Sequence, residues 1–188
     1  MKAGKGWALV ALIAIAGVTL TLGLQHLTVD YAARQAQAQQ RLALLDLLPG
    51  ASYDNSPLDQ PLAIRTQPLA NSQLHAGYLA TLSGQPIAVL LRVQASGYVG
   101  PIELLIAIDR SGKLLGVKTL EQSETPSLGG RIAEPGNPWI AALKGRSGEF
   151  DHMAGATITS RAVINAVQDA LRYFDEHHSS LLEPAPHE

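Results

Sequence analysis

From Trp7 to Leu24 the chain reads WALVALIAIAGVTLTLGL, and no charged residue occurs from Gly6 to Val29. This stretch constrains the fold before anything else does. A helix of about 20 mainly apolar residues crosses a bilayer, and it satisfies its own backbone where lipid offers no hydrogen bonds. The expectation is a transmembrane helix over residues 7–27 behind a short cytoplasmic N-terminus, residues 1–6. Lys2 and Lys5 precede the stretch, and the first acid, Asp30, follows it. The positive-inside rule then places the chain beyond Val29 outside the cytoplasm. A cleaved signal peptide is the competing reading. Against it stand the length of the apolar run and the lack of an A-x-A site directly after it.

Composition narrows what the exported part does. Removing Lys2 and Lys5 from the 14 basic residues leaves 12, against 16 acidic ones, so this part is mildly acidic. Without a Lys/Arg-rich run it has no means of neutralising a nucleic-acid backbone. A hydrophobic content of 46% with 16% charged residues excludes wholesale disorder. The chain has no cysteine, which removes disulfides, cysteine-ligated iron–sulfur clusters, C-x-x-C-H haem attachment and a cysteinyl flavin. The histidines (His26, His75, His152, His177, His178, His187) show no metal-ligand spacing, and no Ser–His–Asp arrangement can be argued. No catalytic or metal-binding residue is therefore assigned.

Residues 28–73 read as a stalk and linker. Asp30 to Leu48 is rich in helix formers and stops at Pro49-Gly50. It reads as a stalk helix; the alternative is a first domain helix packing through Leu42, Leu45 and Leu48, and the two readings can hold for different parts of it. Ala51 to Gln73, rich in Pro, Ser, Asn and Asp, is mostly loop. The domain proper covers 74–177. Leu74–Leu82, Ile87–Val93, Ile102–Ile108 and Leu114–Leu120 are short apolar or alternating runs separated by turn residues, which predicts an antiparallel meander of about four strands. Glu121 to Pro138 has too many prolines and glycines for a helix or central strand, and Trp139–Leu143 suits a short helix behind Pro138. Apolar residues recur at helical spacing from Arg161 to His177, predicting an amphipathic helix with Thr159 or Ser160 as N-cap. Trp139 and Phe174 read as core, Gly97, Gly100, Gly129 and Gly130 as turn glycines, and Arg131 as a surface residue. The tail, 178–188, reads as flexible. The fold class is α+β: one membrane helix, a stalk helix, then an antiparallel sheet with packed helices.

Directly before the amphipathic helix lies Asp151-His-Met-Ala-Gly-Ala-Thr157-Ile-Thr-Ser160. Small residues and hydroxyls at a helix N-terminus meet free backbone N–H groups and the positive end of the dipole, a place that suits an anion such as phosphate. Arg161 could add a charge-assisted contact. Taken alone, the pattern is better read as an ordinary loop and helix cap, because small residues before helices are common.

The segment resembles the flavinylation motif of the FMN-binding domain family: Asp, two variable residues, Ser or Thr, Gly, Ala, Thr. Asp151, Gly155, Ala156 and Thr157 match, while Ala154 stands where Ser or Thr is usual. Three further blocks resemble the family in order. They are Gly97-Tyr98-Val99-Gly100-Pro101-Ile102, then Asp109-x-x-Gly112-Lys113 with Gly116-Val117, then Glu124-Thr125-Pro126-Ser127-Leu128-Gly129, followed by Trp139. The family includes subunits of the Rnf/Rsx electron-transport complex and of the sodium-pumping NADH:quinone reductase. In it, a flavin transferase takes FMN from FAD and esterifies its phosphate to the motif's last threonine.

The resemblance implies FMN attached covalently to Thr157, with Glu124, Thr125, Leu128 and Ala156 around it. It implies a subunit that relays electrons in an Rnf/Rsx-type complex coupling ferredoxin and NAD chemistry to ion movement. The partners would be the other subunits of that membrane redox complex, with a flavin transferase during maturation. The location would be the bacterial inner membrane, single-pass, with the C-terminal domain on the periplasmic side. A flavin-free binding or assembly module of the same fold is the alternative.

Overall fold

The computed structural model describes residues 45–48, 53–59, 61–145 and 151–183. The expected membrane helix, the cytoplasmic N-terminus, most of the stalk and the last residues of the tail lie outside these. Among the described residues no helix is long and apolar enough to cross a membrane.

Five strands form one antiparallel sheet in sequence order: β1 (Gln67–Pro68), β2 (Ser72–Leu82), β3 (Gln85–Ser96), β4 (Pro101–Asp109) and β5 (Leu114–Glu121). The meander read from the sequence is present, with β1 added at one edge. The β2–β3 hairpin closes through Ser83 and Gly84, both at positive φ (52° and 72°). This two-residue turn matches the right-handed twist of the strands it joins. At the β4–β5 turn, Asp109 Oδ1 accepts from the amides of Ser111 (2.8 Å) and Lys113 (3.0 Å), and Gly112 supplies a positive φ.

Central strands of an antiparallel sheet usually alternate, yet every residue from Ile102 to Ile108 in β4 is buried. The reason is cover on both faces. On one face, Val89, Leu91, Val93, Leu104, Ile106 and Ile108 pack with Val163, Val167, Ala170 and Phe174 of the long helix. On the other, Ala88, Leu90, Leu105 and Ala107 pack with Leu48, Leu58 and Tyr53. Each large side chain buried this way contributes about 1.5–3 kcal/mol relative to exposure. The region 53–73 is mostly irregular, as its composition predicts, but it is bound to the sheet. Asn55 Nδ2 donates to the Leu79 carbonyl (2.7 Å), Asn55 Oδ1 accepts from the Thr81 amide (2.9 Å), and Leu62 N donates to Gly77 O (2.8 Å).

After β5 a 3-10 turn (Gly129–Ala133) leads to α1 (Pro138–Ala141). Asn137 caps α1, accepting from the amides of Trp139 and Ile140 at 2.9 and 3.1 Å. The long helix, α2, runs Thr157–Leu182 with non-helical φ/ψ at His177. It starts earlier than its apolar periodicity implies. Ala156 is the N-cap, without a side-chain cap bond, and this overturns the expectation that Thr159 or Ser160 caps the helix. Both lie inside the first turn, with their hydroxyls used elsewhere. Beyond His177 the chain stays helical, and Leu181 is buried and Leu182 partly buried against the core, while 178–180 are exposed. Midway along α2, buried Asp169 accepts from the Asn71 amide (2.7 Å) and the Ser72 hydroxyl (2.8 Å), fixing the β1–β2 turn.

Candidate functional site

Three pieces of chain converge at the end of the sheet where β4 begins. The first is the β3–β4 turn, Gly97–Gly100, closed by Gly97 N donating to Gly100 O at 2.8 Å. The second is the loop after β5, where the Thr125 carbonyl accepts from the amides of Leu128 (3.0 Å) and Gly130 (2.9 Å). The third is the segment Asp151–Ala156 entering α2. A cavity of about 400 Å³ opens among them. Its lining includes all five residues expected around the flavin: Thr157, Glu124, Thr125, Leu128 and Ala156. Gly155 of the motif lines it too, and it adds Tyr98 and Ile158, which the sequence does not single out as site residues. A larger open hollow of about 770 Å³ lies beside it, between the β1–β2 and β3–β4 turns, but none of the Asp151–Ser160 residues lines it.

The motif's three hydroxyls are in different states. The Ser160 hydroxyl donates to the Ala156 carbonyl and accepts from the Met153 amide, both at 2.8 Å, which holds the entry loop against the helix. The Thr159 hydroxyl is buried and donates to Glu124 Oε2. Thr157, the first helical residue, is exposed at the cavity. The first amide in the ladder of α2 is that of Ser160, which donates to the Ala156 carbonyl at 2.9 Å. The amides of Thr157, Ile158 and Thr159 precede it in the turn that a helix leaves unpaired, and the N-cap residue, Ala156, brings no side-chain cap to them. Gly155 reaches this geometry at φ 76°, and a Cβ there would stand 3.2 Å from Leu128 Cδ2. Ala154 is exposed in the turn before it.

Glu124 is 4% exposed. Its Oε1 accepts from the amides of Val99 (2.8 Å) and Gly100 (3.4 Å). Burial by itself would push this carboxyl up. The Thr159 hydroxyl and the amides of Val99, Tyr98 and Gly100 outweigh it and hold the group below its ordinary range. Gly97 and Gly129 make room for this carboxylate. A Cβ at Gly97 would sit 2.5 Å from Oε1, and one at Gly129 would sit 2.9 Å from Oε2. Neither glycine has a positive φ, so close approach, rather than turn conformation, is what requires them.

Phe174 is fully buried. Trp139 is partly buried against the core, and its indole N–H donates to the Asp151 carbonyl at 2.6 Å, which anchors the start of the motif segment. Arg131 lies near Glu134 at 3.5 Å on the surface. Arg161 is exposed. Among the described residues no group of His, Asp or Glu side chains could hold a metal. Around the cavity, Tyr98, Leu128 and Ile158 are large residues left exposed, Ile158 by half. Unpaired amides and a hydroxyl at a helix start suit a phosphate, and the apolar rim suits a flat aromatic group, so the residues present fit FMN.

Residues 97–172 match the FMN-binding domain family, which gives the class of protein this sheet and cavity define. The chain belongs to the family of the G subunits of ion-translocating oxidoreductase complexes. It is 41% identical to the G subunit from Pseudomonas aeruginosa over 94% of this chain and 90% of the relative. It is 37% identical to the one from Photorhabdus laumondii over 91% of each. Among solved structures it matches the C subunit of the Na(+)-translocating NADH-quinone reductase from Parabacteroides distasonis, at 24% identity and a TM-score of 0.45 over 60% of this chain and 65% of that one.

Proposed function

We propose that this chain is the FMN-carrying electron-transfer subunit of an ion-translocating oxidoreductase complex. Family membership and the FMN-binding domain match support the assignment. The observation that carries the finer reading is the state of the three hydroxyls. Thr159 and Ser160 are buried and engaged, whereas Thr157 is exposed at the cavity on the first residue of α2. In this reading a flavin transferase joins FMN to Thr157. The phosphoanhydride of FAD breaks, a bond forms between Thr157 Oγ1 and the FMN phosphorus, AMP leaves, and the hydroxyl proton goes to solvent.

The first-turn amides of α2 would hold the phosphate. Thr125, Leu128 and Ala156 would line the bound group, with Glu124 behind them. FMN, when bound, supplies an electron carrier whose chemistry is the cofactor's own, and the protein contributes position and electrostatics. A covalent link matters for a domain outside the cytoplasm, where a dissociated cofactor is lost. The reading includes the membrane helix over residues 7–27, with the C-terminal domain on the periplasmic side and the other subunits of the complex as partners.

The test is flavin fluorescence in a denaturing gel after co-expression with a flavin transferase. A band that survives denaturation is expected, and Thr157→Ala should abolish it. No band from the wild type would favour the flavin-free module. A band persisting in the alanine variant would put the link on another residue.

A further inference from the structure

We propose that Glu124 is the positioning residue of this site: its carboxylate locks the Gly97–Gly100 turn to the first turn of α2 and thereby fixes Thr157 relative to Tyr98. The assignment rests on the reading of Thr157 as the flavin acceptor. Oε1 takes the amides of Val99 and Gly100 from one side, and Oε2 takes the Thr159 hydroxyl from the other. One residue thus bridges two elements far apart in sequence. Both carboxylate oxygens are occupied by protein donors, and the side chain is almost wholly shielded. It therefore acts on the flavin through the backbone it holds.

The surroundings fit this role. Glu124 N donates to Gln122 Oε1 at 2.6 Å, which fixes the loop that delivers the carboxylate. Gly97 and Gly129 flank it where a side chain would collide. Tyr98 and Val99, on the turn it holds, are among the most exposed large residues described. Its own backbone closes it through the Gly97 N–Gly100 O bond, and Glu124 is what ties that closed turn to the first turn of α2. An ionised acceptor forms stronger hydrogen bonds than a neutral one, and a carboxylate offers enough lone pairs for several donors at once. A glutamine has the shape but only one acceptor oxygen.

The experiment uses the full chain in detergent, co-expressed with a flavin transferase, and reads two quantities. One is the covalent flavin band. The other is hydrogen exchange at the amides of Tyr98, Val99 and Gly100, with β4 amides as an internal reference. Glu124→Gln should lower the band severalfold and speed exchange at the turn at least tenfold, leaving β4 protected. A wild-type band in Glu124→Gln overturns the proposal, whatever the exchange shows.

Thr159 tests the lock from the other side and decides the matter if Glu124→Gln does not fold. Thr159→Ser keeps the hydroxyl and should retain the band, while the near-isosteric Thr159→Val should lose most of it. Equal bands in these two variants overturn the lock. A wild type without any band overturns the flavin reading and this assignment together, whereas a wild-type band indifferent to all three variants overturns this assignment alone.

Discussion

Two buried glutamates, Glu103 on the sheet and Glu124 at the cavity, are kept ionised by different means. Glu103 is 6% exposed on the face of β4 away from α2. Arg92 Nε and Nη2 donate to its two oxygens at 2.7 and 2.6 Å, and His75 Nδ1 lies 3.2 Å from Oε1. Its carboxyl is held below the ordinary range chiefly by the hydrogen bond from Arg92, against burial. Glu124 is held instead by backbone amides and a neutral hydroxyl. The first arrangement replaces apolar packing at one end of a sheet face. The second ties loops together at a ligand-sized cavity. Side-chain charge thus serves the scaffold, whereas backbone polarity serves the site.

The largest effect is expected from Gly129→Ala. Its Cβ would collide with Thr159 Oγ1 and Glu124 Oε2, so we expect a loss of about 1–3 kcal/mol and a severalfold weaker covalent flavin band. Glu103→Gln is the counterpart. Arg92 is 41% exposed and can return to water, so the expected cost is about 1–2 kcal/mol in urea unfolding, with an undiminished flavin band. Loss of the band there would show that the two regions are not independent.

Acid titration treats both together. Each folded-state carboxyl is depressed, so each contributes stability that is complete above the unfolded carboxylate value of about 4.3 and is lost as pH falls through the lower folded value. Thermal melts should change little on account of these groups from about pH 5 to 8 and fall below about pH 4. Glu103→Gln and Glu124→Gln should each shallow that acid slope. The smallest effect belongs to Gly84→Ala in the β2–β3 turn. There φ is 72° with nothing near the added Cβ, and the expected cost is about 1 kcal/mol with no change at the site. Strain without collision is then measured against the collision without strain at Gly129.

The strands and the long helix are legible in the sequence because period-2 and period-3.6 patterns are local. Leu74–Leu82 and Ile102–Ile108 fall within a residue or two of β2 and β4. The cap of α2 is misread because Thr159 and Ser160 are the residue types that cap helices, yet their hydroxyls are used by Glu124 and by the Met153 loop. The five site residues meet at one cavity because the family blocks that carry them come from loops at one end of the sheet. Tyr98 and Ile158 escape notice as lining because exposure is a tertiary property. The roles of Gly97 and Gly129 stay hidden for the same reason: only the fold shows that a carboxylate lies where their side chains would be. The cross-strand pair Arg92–Glu103 is invisible because β3 and β4 are buried on both faces, so neither residue breaks an alternation.

Trp139 offers a practical consequence. It and Trp7 are the chain's two tryptophans, and its indole is pinned to the carbonyl of Asp151, at the head of the segment that leads to Thr157. Indole emission falls where flavins absorb. The domain therefore contains its own optical gauge, whose dimming on flavin loading of the purified chain needs neither a gel nor a label.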